Sequence, residues 1–407
     1  MERDERQKAL ERARKHIFST GVNDAASKLS VLNMTFGLAR FHYIQNLLGF
    51  TPNATFTGAP DITITRNKTR WENGLGYGGK LSWGDNKDSV VFLEVLPNAC
   101  GILVGGLHEL PSQFELSQRI LSLSDSPPEL DGIEITCDFA QGNHYINLYQ
   151  LGVASTEGLE DSELPPYIFV MHGSAPELRG VTQRGPGLYY HRSAILKDSC
   201  QIFETPFGKS YVLLDSEAKD FIRFNDYAMD FSKKRRELGA SLILEDIRWT
   251  TLSNVNHQGL VRINDMLLGT HDTALDKTLL PVGLRADLPY YLLRGKENFE
   301  QDIIDSLGFY ERAESLGVLS RLENANLCPH GGGYSFPRLE GIPQVEELAG
   351  GRRIYISEMS SGRGKEVFSF PMNLESSYRG REVLLRTIEL GMGEIAARLT
   401  PKFVIKL

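Results

Sequence analysis

Apolar positions divide the chain into a helical beginning, a β-rich middle and a mixed end. Residues 2–17 alternate acidic and basic side chains at helical spacing, which predicts a solvated helix that packs few residues inward. Leu29, Leu32, Phe36, Ala39 and Ile44 predict a second helix over Ala25–Leu48, with the small Ala39 marking a close helix contact. Between Thr51 and Gly106 the pattern turns glycine-rich and strand-like. There Asp61-Ile62-Thr63-Ile64-Thr65 alternates, and Val90-Val91-Phe92-Leu93 reads as a buried strand running into Pro97-Asn98-Ala99-Cys100-Gly101. The glycines of Gly74–Lys80 lack the spacing and the Ser/Thr of a phosphate loop, so this stretch is read as a loop serving backbone geometry.

Further strands are predicted at Ile133-Glu134-Ile135, beside His144, at Tyr167–Met171 running into His172-Gly173-Ser174, and at Thr250–His257. A polar linker surrounds Ser122–Asp131, and Leu188–Cys200 reads as loop and strand with His191 on the surface. Phe221–Leu244 is helical, with Lys233-Lys234-Arg235-Arg236 as its basic patch. Helices are also predicted over Glu297–Leu316 and Glu382–Leu399, short strands and loops over Gly341–Glu375, and a terminal strand at Phe403–Lys406. The elements interleave without βαβ regularity and without an internal repeat. The expectation is an α+β fold, a single compact domain with mixed β-sheets flanked by helices.

Composition narrows the class. Across 407 residues, 41% are hydrophobic and 24% charged, the balance of an ordinary globular protein. A net charge of -8 argues against non-specific coating of nucleic acid but leaves room for a local basic groove. Cys100, Cys137, Cys200 and Cys328 are widely spaced and form no disulfide framework, as suits a reducing compartment. Met1–Arg6 reads as neither signal nor transit peptide, and the apolar run Val90–Leu107 is broken by Glu94 and Pro97. A soluble, cytoplasmic protein with no membrane partner is expected.

The candidate chemistry centres on Cys328-Pro329-His330-Gly331-Gly332-Gly333-Tyr334. Three glycines after a histidine let backbone approach a large anion closely, and successive N–H groups there could form an anion-binding concavity. Taken alone, the run is equally a glycine turn. Three of the nine histidines, His144, His172 and His257, fall at strand ends, and Cys100 falls at a fourth. One thiolate and three imidazoles form a soft set suited to Zn²⁺, Mn²⁺, Fe²⁺ or Co²⁺. A histidine at a strand end is more often a satisfied polar residue than a ligand, and no local spacing links the four.

Taken in order, the motifs resemble the RtcB family, the GTP-dependent 3′-phosphate RNA-splicing ligases. Gly142-Asn143-His144-Tyr145 is similar to the family's Gly-Asn-His-Phe element. Val170-Met171-His172-Gly173-Ser174 with Arg179-Gly180 resembles its His-Ser-Gly-Ser-Arg-Gly element, and Asn256-His257-Gln258 falls at its His-Asn pair. Leu279-Leu280-Pro281 through Leu293-Arg294-Gly295 resembles the Ile-Ile-Pro-Gly-Ser-Met segment and the Val-Arg-Gly after it. His330–Gly333 resembles the His-Gly-Ala-Gly-Arg element, while Glu375–Tyr378 and Lys402–Lys406 resemble the closing helix and lysine. The matches run from about Glu72 to the last residue. Residues 1–60 form an N-terminal helical segment outside the resemblance, and 61–407 would be an RtcB-like catalytic domain.

The resemblance implies that Cys100, His144, His172 and His257 bind one or two divalent ions, normally Mn²⁺, and that His330 takes GMP from GTP. It places Asn143, Gly331, Gly332, Gly333, Tyr378 and Lys406 against the nucleotide. The reaction implied joins RNA 3′-phosphate (or 2′,3′-cyclic phosphate) and 5′-hydroxyl ends, as in tRNA splicing or the repair of broken RNA. The sequence also departs from the family. Pro97, next to Asn98, stands where an aspartate would serve the second metal; Asn147 replaces a glutamate, Tyr334 an arginine, and Gly283 a serine. Two alternatives therefore stand beside ligation: a single-metal phosphoesterase or nucleotide-handling enzyme on the same scaffold, and a non-catalytic RtcB-like protein.

Overall fold

The computed structural model describes residues 3–154, 164–348 and 351–407. A seven-stranded sheet carries the chain's centre, in the order Trp249–Asn256, Gly101–Leu107, Tyr167–Gly173, Tyr145–Ala154, Gly393–Val404, Tyr290–Gly295 and Leu279–Val282. Every neighbouring pair in it is antiparallel. A five-stranded sheet runs Ile17–Ser19, Thr55–Thr63, Tyr77–Ser82, Asp265–Leu268 and Gln258–Arg262. The two sheets meet at a single residue, because the strand ending at Asn256 and the one starting at Gln258 are separated only by His257. The 30-residue helix Asp215–Leu244 packs on strands of both sheets. These mixed sheets and helices make an α+β fold, as the interleaving predicts. No helix among the described residues is long and apolar enough to cross a membrane.

The N-terminal segment is not peripheral. The helix Arg3–Lys15 buries only Ala13, as its charge alternation predicts (Glu2 lies outside the described residues). The helix Ala25–Leu47 is instead sunk in the interior, burying Asn33, Arg40 and Gln45 as well as Phe36 and Phe41. Ile17–Ser19, which no pattern predicts, pairs in parallel with Thr55–Thr63. That second strand runs through residue 60 and is buried on both faces rather than alternating. Residues of the first 60 share one hydrophobic core with Phe92, Leu103, Phe169 and Phe231.

Four predicted elements are corrected. Glu297–Leu316 is two short helices, Gln301–Ser306 and Tyr310–Ser315, divided at Gly308, whose φ is +65°. The helix over Glu382–Leu399 stops at Glu389; Gly391, also at φ +65°, turns the chain into the strand Gly393–Val404. Residues 77–80 of the expected glycine loop belong to the strand Tyr77–Ser82, and Ala194–Ser199, within the expected loop and strand, is a helix capped by Ser193. The basic patch is only half a patch, since Arg235 and Arg236 are fully buried.

The buried N-terminal segment has a measurable consequence. His16 and His42 stand edge to face with ring centroids 4.6 Å apart. Burial, then the charge of Arg12, lowers His16 to about 4; burial, then His16, lowers His42 to about 3, with Arg12 and Arg321 adding to both and Arg312 to His16. An unfolded imidazole binds its proton near pH 6.5, so the folded chain resists protonation over the window between. The stability held by the neutral pair is therefore complete above that pH and lost as pH falls towards 3, at about 1.4 kcal/mol per pH unit for each imidazole. Urea midpoints measured between neutral pH and about pH 5 should fall, and His42→Gln should remove one imidazole's share of that slope, the rest being carried by His16 and by the buried His172, His257 and His271.

Candidate metal centre

Antiparallel register gathers the site. Gly101 sits opposite Asn256 on one side and Gly173 on the other, so these three residues form a row across adjacent strands. Cys100 precedes Gly101, His172 precedes Gly173, and His257 follows Asn256. Each is one residue off the row, and the alternation of a strand sends all three side chains to the same side. Cys100 Sγ lies 3.0 Å from His172 Nε2, which lies 3.4 Å from His257 Nε2. All three side chains are buried, and their ligand atoms fall within 4.8 Å of one another.

The protonation of this cluster follows from its partners. His172 Nδ1 is 2.7 Å from the Asn143 carbonyl, which can only accept, so Nδ1 carries the hydrogen and Nε2 presents a lone pair. Burial pushes the Cys100 thiol up to about 12 and holds both imidazoles well below their usual range. Without an ion the cluster thus consists of neutral soft donors turned on one another. A divalent cation fits such a set: it takes the lone pairs and displaces the thiol proton.

His144, the fourth expected ligand, stands one layer out from the Cys100/His172/His257 set. Its Nδ1 lies 2.8 Å from Asp138 Oδ2 and its Nε2 3.2 Å from Ser174 Oγ, with the ring edge-on to His172 at a centroid distance of 5.6 Å. Asp138 is held in turn by the buried Arg235, 2.6 Å from its other oxygen. No sequence motif marks Asp138. Of the second-metal positions, Asn98 Oδ1 accepts the Cys100 backbone N–H at 3.0 Å. The Asn147 amide bonds Tyr149 and the backbone of Ile405. Neither amide is turned to the cluster.

His330 lies beside the cluster, its ring centroid 4.4 Å from that of His257. Asp61 Oδ2 accepts from both its Nδ1, at 2.9 Å, and its backbone N–H, at 3.2 Å. The Asp61 side chain is fully buried, while that of His330 retains 19% exposure. Fixing the proton on Nδ1 leaves His330 Nε2 as a free lone pair, the state a nucleophile or ligand needs. Asp61 was legible only as a strand residue. The alternation of residues 61–65 put it on a polar face, and only the structure buries that strand on both sides.

The glycine run is shaped by packing rather than left open. A Cβ at Gly331 would lie 2.7 Å from the Gly283 oxygen, at Gly332 2.6 Å from the Arg379 oxygen, and at Gly333, where φ is +67°, 2.5 Å from the Asp61 oxygen. The N–H groups of His330, Gly332 and Tyr334 already donate to Asp61, Gly283 and Thr63. The expected anion cradle is therefore corrected at these three donors. Arg379, fully buried beneath the run, donates to the Gly332, Asp61 and Ile62 carbonyls and to the Asp24 carboxylate.

The other candidates have partners of their own. Asn143 is exposed beside His144. The Lys406 amine donates to the Gly142 and His144 carbonyls at 3.2 and 2.9 Å and lies 5.5 Å from the centre of the Tyr145 ring. Burial, then Arg66, pulls its pKa down. Tyr378 stacks on Tyr334 at 4.9 Å with 42% of its surface exposed. Cys328 is buried in the strand Leu327–Pro329 and packs with Val282 and Leu293.

Fold and site together define an α+β protein with a buried Cys/His/His cluster next to an Asp–His pair. No protein-family model matches the chain, and a search of curated proteins finds no match.

Proposed function

We propose that the protein is a metal-dependent, RtcB-like nucleotidyl transferase in which His330 carries GMP. The observation that carries this reading is an imidazole whose Nδ1 is fixed by the buried Asp61 and whose ring lies against His257 of the cluster. Cys100, His172 and His257 would hold the cation, Mn²⁺ or another divalent ion, which when bound neutralises phosphate charge. His330 Nε2 attacks the α-phosphorus of GTP; a P–N bond forms, the bond to the β-phosphate oxygen breaks, and pyrophosphate leaves. The imidazolium so formed sits on the Asp61 carboxylate, as a buried anion beside a cationic ring requires. The guanylyl group then passes to an RNA 3′-phosphate, and a 5′-hydroxyl displaces GMP to join the ends. Tyr378, Lys406 and Asn143 line the side from which the nucleotide and RNA would enter.

Incubation with α-labelled GTP and Mn²⁺, Co²⁺ or Zn²⁺ tests the reading. Wild type is expected to retain acid-labile label on the protein. His330→Ala should retain none, and Cys100→Ala should need far more metal than wild type to form label. Absence of label on wild type with every metal sinks the proposal.

One observation favours a second reading, a single-metal phosphoesterase. Asn98 is turned to the Cys100 N–H, so no carboxylate stands at the expected place for a second cation. Release of phosphate from RNA 3′-phosphate ends without joining, and without His330 label, would select it.

A further inference from the structure

The row Asn256–Gly101–Gly173 lies under one side chain. Arg236, projecting from the helix Asp215–Leu244, is fully buried. Its Nη2 donates to Asn256 Oδ1 at 2.7 Å and its Nη1 to the Gly173 carbonyl at 3.2 Å. Over the third member of the row the contact is steric: a Cβ on Gly101 would come within 2.7 Å of Nη1 and 2.5 Å of Asn256 Oδ1. The nearest atom such a Cβ would meet is the Val255 carbonyl oxygen of the neighbouring strand, at 2.4 Å, so glycine here serves the strand pairing as well as the guanidinium. Nε donates to Asn254 Oδ1 at 2.9 Å, and Nη1 donates also to Ser232 Oγ at 2.8 Å. No carboxylate is among these partners, so Arg236 is not serving an ion pair. A buried guanidinium bonded only to neutral groups is costly to keep in the interior.

We infer that Arg236 is the positioning residue of the Cys100/His172/His257 centre, setting the distances between the three ligands by locking the residue next to each. The inference rests on reading that cluster as a metal site, and it gives a role to the last residue of the Lys233–Arg236 run. The physical reason is rigidity. A guanidinium holds its donors in one plane with fixed angles, so Gly173 and Asn256 cannot shift relative to one another without breaking a bond to Arg236, and the same group packs against Gly101 between them. Each ligand is joined by one peptide to a member of that row. Lysine keeps the charge but offers a single nitrogen, which cannot span the row.

The test uses the full chain and Co²⁺ alone, followed by the thiolate-to-cobalt absorption band and by competition with a chelator. Wild type is expected to show the band. Arg236→Lys should bind Co²⁺ about 10- to 100-fold more weakly, with a shifted band, as is common when groups behind metal ligands are removed. Asn256→Ala, which cuts the link next to His257, should do the same. Asn254→Ala, which removes an Arg236 partner that adjoins no ligand, should keep the wild-type affinity and band. Thermal melts of all three report stability separately, so weak binding in a well-folded variant cannot be put down to unfolding. Should Arg236→Lys fail to fold, the contrast between Asn256→Ala and Asn254→Ala decides. Wild-type affinity and an unshifted band in both Arg236→Lys and Asn256→Ala, or equal losses in Asn256→Ala and Asn254→Ala, overturn the inference. A wild type without the band instead overturns the metal reading, and this inference with it.

Discussion

In the proposed reaction, Asp61→Asn is expected to slow transfer of GMP to His330 by on the order of 10³–10⁴-fold, while leaving GTP affinity nearly unchanged. Two effects combine. The carboxylate oxygen now accepts from both Nδ1 and the backbone N–H of His330, which holds the tautomer with Nε2 free. An amide can present its NH₂ to Nδ1 instead, which puts the ring proton on Nε2 and removes the nucleophile. An amide also carries no charge to stabilise the imidazolium that forms when Nε2 bonds phosphorus. Single-turnover labelling against time gives the rate, and GTP protection in a thermal melt gives the affinity. A variant that labels within about tenfold of wild type would mean that Asp61 only packs the loop.

Arg379→Met should lower stability by about 3 kcal/mol, the lower end of what breaking a buried ion pair costs. The lower end applies because Asp24 is 31% exposed and water can reach it once the arginine is gone. The carbonyls of Asp61, Ile62 and Gly332 fare worse, since each loses a donor in the interior. These groups belong to the N-terminal cap of the helix Ala25–Leu47, the strand Thr55–Thr63 and the loop after His330, so the variant should also free the His330 loop. Urea unfolding reads the first effect, and faster amide exchange at residues 330–334 reads the second. Unchanged exchange there would show that Gly283 and Thr63 hold the loop without help.

The two variants share a lesson about what a linear reading can find. Asp61 is 269 positions from His330 and Arg379 is 355 from Asp24, and no periodicity joins such pairs. Residues 1–60 matched no motif and were set apart, yet Asp24 caps a helix there and is clasped by the arginine under the His330 loop. Buried polar residues at 33, 40 and 45 could not be told from an exposed face by type alone. The Glu382–Leu399 reading failed for a related reason. Val383, Leu384, Thr387 and Leu390 keep helical spacing, and the apolar positions beyond Gly391 continue it well enough to hide the change. What ends the helix is the place waiting in the sheet between Tyr145–Ala154 and Tyr290–Gly295.

Composition and pattern by themselves determined the α+β class and the strands that border Cys100, His172 and His257. These are local properties, fixed by side-chain alternation. Tertiary structure alone decided that three of those strand ends lie in one register, that His144 stays with Asp138 and Ser174, and that a buried arginine crosses the row behind Cys100, His172 and His257. Register is a relation between strands far apart in the chain. It is set by which whole sheet buries the most apolar surface, and no single strand carries that information.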